Sequence, residues 1–153
     1  MNNEVKTLNP RRQLELTREQ LEKINSYAQI GNEEIDNQNF EHAIGWFSKA
    51  LEVIPEPKEN WEATGWLSAS IGDAYFSLEE YKDGLENLHR AHGIYGPDDS
   101  NPFVLLRLGQ CYFHAGDEEK AEKYLYEAYL LEGDEMFEDE PLYFDFLKSK
   151  HNL

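Results

Sequence analysis

Small and large apolar residues recur along the chain in a fixed order. Three glycines, Gly31, Gly72 and Gly109, each follow an aliphatic residue (Ile30, Ile71 and Leu108). Twelve residues past each glycine stand Ala43, Gly84 and Ala121; four further on stand Phe47, Leu88 and Leu125, and three beyond those Ala50, Ala91 and Ala128. Spacings of three and four put residues on one helix face. Each unit therefore reads as two antiparallel helices. Its small residues let the backbones approach, and its large ones fill the remaining space. Tyr75 and Tyr112 lie three residues past the second and third glycines, whereas Glu34 holds that place in the first.

Start and stop signals place the helices. Thr17 with Gln20 is a capping box that opens a helix to about Asn37. Asn37-Gln38-Asn39 is a turn, and the second helix runs from about Phe40 to Ile54, stopped by Pro55-Glu56-Pro57. The third is expected from about Lys58 to Leu78 and the fourth from about Glu80 to Tyr95. After a loop from Gly96 to Asn101, Pro102 suits a first helical position, and the fifth helix ends at Ala115-Gly116. Asp117 caps the sixth, which ends near Gly133. Leu142, Tyr143, Phe144, Phe146 and Leu147 then predict a short helix over the final unit.

The pattern resembles the tetratricopeptide repeat, whose period of about 34 residues carries W-x2-L-G-x2-Y followed by A, F, A and P. The family's tryptophan is replaced here by Tyr27, Ser68 and Leu105. The glycines are 41 and 37 residues apart; the seven extra residues before the second are read as a longer first helix, being close to two helical turns. The expected fold is an all-α superhelix. Three repeats over about 24–57, 65–98 and 102–135 lie within 17–135, a tail covers 1–16, and an acidic linker with a capping helix covers 136–153. One helix pair cannot bury its apolar face alone, so neighbours stack and the end needs a cap.

The resemblance implies a concave groove lined by the first helix of each pair, where a protein or peptide partner lies. Positions six and three before each glycine, and one and four after it, give the candidates. They are Asn25, Ala28, Asn32 and Ile35, then Trp66, Ala69, Asp73 and Phe76, then Phe103, Leu106, Gln110 and Phe113. Trp66, Phe103, Leu106 and Phe113 together would make an apolar patch for a helix or extended peptide. His114, near the end of a groove helix, is a further candidate. Some relatives clamp the C-terminal carboxylate of heat-shock chaperones with Lys, Asn, Asn, Lys and Arg; the matching positions here are Ala28, Asn32, Ser70, Phe103 and Arg107. Both lysines are absent, so the charge-assisted bonds of such a clamp are not expected.

Charge narrows the class of partner. The 153 residues hold 31 Asp and Glu against 14 Lys and Arg, a net charge of −17. Phosphate binding needs clustered cations, and an anionic membrane surface repels this chain, so neither nucleic acid nor membrane is expected as a direct partner. The acidity is greatest from residue 99 onwards, with 13 acidic against 5 basic residues. Glu132, Asp134, Glu135, Glu138, Asp139 and Glu140 form an acidic patch that would draw a basic partner. At 40% hydrophobic and 13% aromatic the composition is too rich for a disordered acidic chain. The single cysteine, Cys111, has no internal disulfide partner, and the N-terminal residues lack a signal-peptide core, so a cytoplasmic setting is expected.

No phosphate loop, nucleophile elbow or metal-protease motif is present. His89 and His92 are three apart on a helix, without a third metal ligand at telling spacing. The expectation is a non-catalytic protein-binding module without cofactor or metal. The setting that fits it first is an immunity-type neutraliser of a basic bacterial toxin; the alternatives are a cytosolic chaperone of secreted proteins similar to type III secretion translocator chaperones, or a general repeat adaptor.

Overall fold

A computed structural model describes residues 15–153; all but the last two residues of the expected N-terminal tail lie outside that range. The chain forms α1 (Arg18–Asp36), α2 (Phe40–Val53), α3 (Glu62–Ser77), α4 (Tyr81–Tyr95), α5 (Pro102–Ala115), α6 (Glu118–Glu132) and α7 (Pro141–Lys150), with no strand among the described residues. Thr17 Oγ1 accepts from the Gln20 amide at 3.1 Å and the Gln20 side chain accepts from the Thr17 amide at 2.9 Å, closing the capping box of α1. Asn101 accepts from Phe103 and Val104 at the start of α5, where Pro102 takes the first helical position. Asp117 caps α6 through the Lys120 amide.

Helices α1 and α2, α3 and α4, and α5 and α6 pack as pairs, and the pairs stack through α2–α3 and α4–α5. The repeated small residues set the closeness of each pair. A Cβ added at Gly31 would sit 2.6 Å from the Phe47 ring, and one at Gly109 would sit 2.5 Å from Leu125. Gly72 stands in the same relation to Leu88. Ala43, Ala50, Ala91, Ala121 and Ala128 are fully buried between the paired helices. The turn inside each pair passes through one positive-φ residue two positions before the next helix: Gln38 (φ 62°), Glu79 (φ 60°) and Gly116 (φ 86°).

The seven extra residues before Gly72 do not lengthen the third helix. Pro55 and Pro57 stop α2, and Lys58–Asn60 makes one 3-10 turn. Trp61 is then extended (φ −115°, ψ 132°), so α3 starts only at Glu62. Proline withholds the amide that a continuous helix would need. Lys58 folds back instead, donating its ammonium to the Leu51 and Ile54 carbonyls at the C-terminus of α2, where a cation also suits the helix dipole. Thr64 Oγ1 donates to the Lys58 carbonyl and locks this turn onto α3.

Buried side chains fall into two clusters. One joins α1, α2 and the Leu67 and Ile71 face of α3. The other joins the Ala69 face of α3 to α4, α5, α6 and α7. Helix α7 buries Tyr143 and Leu147, while Phe144 stacks on Phe137 from the 3-10 turn Asp134–Phe137. No helix among the described residues is long and apolar enough to cross a membrane.

Candidate functional site

The face shared by α3 and α5 is tied together by Arg107. Its Nε donates to Asp73 Oδ1 at 2.8 Å, and its Nη1 donates to Gln110 Oε1. Gln110 is fully buried, and its Nε2 donates to Glu140 Oε2, just ahead of α7. Glu140 also stands 4.0 Å from the guanidinium. The guanidinium plane lies 4.4 Å from the centre of Phe76 and 5.1 Å from that of Phe103. Arginine suits such a place because its flat, weakly hydrated head stacks on rings while its edge donates in a fork. Asp73, Arg107, Gln110 and Glu140 thus form a continuous chain from α3 across α5 to the α7 segment.

The C-terminal part of the α5 face is covered by α7. Phe113 packs edge-on against Tyr143 and Phe146. His114 Nε2 is 2.6 Å from the Tyr143 hydroxyl, and its ring stacks on Tyr81 with centres 4.6 Å apart. Phe76 lies beside both rings. Burial, helped by the Glu140 charge, pushes the Tyr143 hydroxyl up to about 12, so it stays protonated and able to donate. Cys111, on the same helix, is buried and its thiol is likewise pushed up to about 12.

The four residues expected to make one apolar patch differ in burial and in what they pack against. Leu106 is buried in the core. Trp66 is half-buried against the α1–α2–α3 cluster. Phe113 is under α7, and Phe103 alone remains 39% exposed. At the other end of the array Asn32 is exposed, Ile35 is half-buried and Ala28 is buried. In the acidic patch Glu132, Asp134, Glu135, Glu138 and Asp139 are exposed, whereas Glu140 is committed to Gln110. Tyr81 and Tyr143, which hold His114, were not marked by repeat spacing. Tyr143 belongs to the non-repeating helix, whose landing place the pattern does not encode.

The histidines on α4 pack against rings of α5 and α6, and His92 Nδ1 is buried without a hydrogen-bond partner. His89 Nε2 is 2.6 Å from the Tyr112 hydroxyl, and His89 and His92 both present ring edges to Tyr124. Burial, reinforced by His92, Lys120 and Lys123, holds His89 below the usual imidazole range. Among the described residues no three His, Cys, Asp or Glu side chains converge to hold a metal.

Residues 24–57 and 104–135 match the family model of the tetratricopeptide repeat. These are the first and third helix pairs, and the second shares their glycine-to-leucine contact through Gly72 and Leu88. Over these two segments the chain matches the tetratricopeptide repeat. Solved structures agree on the fold. The first TPR of Spaghetti (RPAP3), bound to the HSP90 peptide SRMEEVD, superposes with a TM-score of 0.62 at 20% identity, covering 72% of this chain and 80% of that one. The TPR domain of Arabidopsis FLU superposes with a TM-score of 0.61 at 23% identity, covering 73% and 95%. No curated protein matches the sequence. Repeats of this kind are protein-interaction modules.

Proposed function

We propose that this chain is a non-catalytic binding protein that holds a basic protein one to one, as an immunity-type neutraliser holds a basic bacterial toxin. The observation that carries the reading is the state of Arg107. Helix α3 has no lysine or arginine and α5 has only Arg107. That cation is already bound to Asp73, with Glu140 beside it. The face therefore offers no uncommitted positive charge from these helices, on a protein of net charge −17. A peptide such as the SRMEEVD bound by the Spaghetti domain ends in acidic side chains and a carboxylate, and it would meet carboxylates here. A cationic surface meets complementary charge, and the exposed acids from Glu132 to Asp139 extend that field and speed capture.

The test is a pull-down from the native host washed at low and high salt. Calorimetry follows on the retained protein with wild type and the Glu135→Lys, Glu138→Lys, Asp139→Lys triple variant. A basic partner, bound one to one, released by salt and weakened by the charge reversal supports the reading; an acidic or salt-indifferent partner overturns it.

Phe103 favours a second reading. It is exposed in the first turn of α5, and an extended client segment docking there would fit a translocator-type chaperone or a general adaptor. Such binding would be nearly independent of salt and lost on Phe103→Ala or Trp66→Ala.

A further inference from the structure

A cavity of about 600 Å³ open to solvent lies between the C-terminal ends of α4 and α6, the loop after α4 and Leu105 of α5. Its apolar walls are Leu105, Leu130, Leu131 and Pro97, and the polar side chains of His92 and Ser100 also line it. Leu130 and Leu131 are 63% and 53% exposed, although both are large aliphatic residues. Gly93 and Gly96 also line the cavity, and a Cβ added at either meets nothing within 4 Å. Two adjacent exposed leucines beside an open, glycine-lined hollow leave room for an inserted side chain rather than a merely greasy surface.

The charge around the cavity states what can enter. Asp98 and Glu127 are part of the lining. The cations of this stretch are committed elsewhere. Arg90 is bonded to Glu59, Lys120 lies over the Tyr112 ring and Lys123 over the Tyr124 ring. The only other lysine or arginine between residues 83 and 132 is Arg107, which is held by Asp73. A second copy of this chain is a poor occupant, because it would bring another charge of −17 against the first.

We propose that this cavity is a second protein-docking site, independent of the α3–α5 face, that takes an aliphatic or aromatic side chain from a helical segment with lysine or arginine beside it. The apolar anchor would fill the space between Leu130, Leu131 and the glycines, and the neighbouring cation would meet Asp98 or Glu127. Anchoring of this kind follows the general rule that a buried apolar side chain carries most of an interface's energy while charges at its edge set specificity.

The probe is a synthetic helical peptide with leucines on one face and lysines on the other, titrated into the 15N-labelled full chain. The expected result is saturable shifts centred on the amides of Gly93, Gly96, Ser100, Leu130 and Leu131. Those shifts should vanish when the peptide's leucines become serines or its lysines become glutamates. Gly93→Trp fills the hollow from a site with free space and should abolish them with Tm preserved. Leu131→Ser, an exposed change, should weaken binding by at least about tenfold and carries the test if Gly93→Trp does not fold. The proposal is overturned by no saturable shift at these amides, by shifts centred on Asp73 and Phe103, or by diffuse shifts over the acidic surface. It is equally overturned by full binding to the Leu131→Ser variant. Shifts at these amides that change with protein concentration before peptide is added would name a second copy as the occupant and also overturn it.

Discussion

Arg107 on α5 donates to Asp73 on α3 at 2.8 Å, one repeat away in the sequence and one helix away in space. The contact neutralises the only cation of the two helices at the place where some relatives bind a carboxylate. The peptide SRMEEVD should therefore give no binding heat with the wild-type chain. The Asp73→Ala, Glu140→Ala double variant, which releases Arg107, should give measurable heat. Binding to the wild type would show that the pairing does not control the sign of the site.

Gln110 is buried with both ends of its amide engaged. Gln110→Leu keeps the volume but takes from Arg107 Nη1 and Glu140 Oε2 the amide that bonds both, leaving Arg107 its bond to Asp73. Losing a bond to charged groups of this kind costs about 1–3 kcal/mol, and roughly 2–4 °C of Tm accompanies each kcal/mol in a domain of this size. Thermal melts read the loss directly, and an unchanged Tm would mean that water replaces the amide freely.

Gln38 and Glu79 adopt the left-handed conformation that Gly116 adopts in the third pair. A side chain there costs about 1–2 kcal/mol, and glycine returns part of the gain through its freer unfolded chain. Gln38→Gly and Glu79→Gly should each stabilise the protein by about 0.5–1 kcal/mol, and Gly116→Ala should destabilise it. Urea unfolding midpoints give the comparison.

The Cys111 thiol is held near 12 by burial. The thiolate is the reactive form, so a thiol reagent at neutral pH should leave native protein unlabelled and modify it only as it unfolds. Labelling much faster than unfolding would place the sulfur in a mobile region.

His89 is neutral in the fold at pH values where a free imidazole begins to charge. Its folded pKa is lowered from 6.5, so its contribution to stability is complete above that value and is lost as pH falls through the folded pKa. The wild type should therefore lose more stability than His89→Asn on acidification below about pH 6.5. The comparison between the two proteins removes the opposite effect of titrating the many carboxylates.

The helix pairs were legible because their signals are local and repeated. Glycine must sit where Phe47, Leu88 or Leu125 crosses, and the capping residues Thr17, Asn101 and Asp117 mark their own amides. The segment before α3 was misplaced because counting turns could not foresee that Trp61 would be extended, although Pro55 and Pro57 stood in view. The candidate residues lie on α1, α3 and α5, but spacing does not say what covers them. Helix α7 lies outside the repeat, and it decides the surroundings of Phe113, His114 and Gln110. The Arg107–Asp73 pair had a readable signal in two opposite charges on neighbouring first helices.

Helix α3 gives one face to each buried cluster, with Leu67 and Ile71 on one side and Ala69 on the other. This seam is where the molecule is expected to open first, with α1 and α2 leaving Leu67 and Ile71 bare while the cluster spanning α3 to α7 stays intact. Amide protons of the first two helices should exchange by this partial opening, ahead of those in α5. A partner that spans the seam would bind the halves into one cooperative unit. Slower exchange in α1 and α2 would then report its grip from a distance, without any probe at the point of contact.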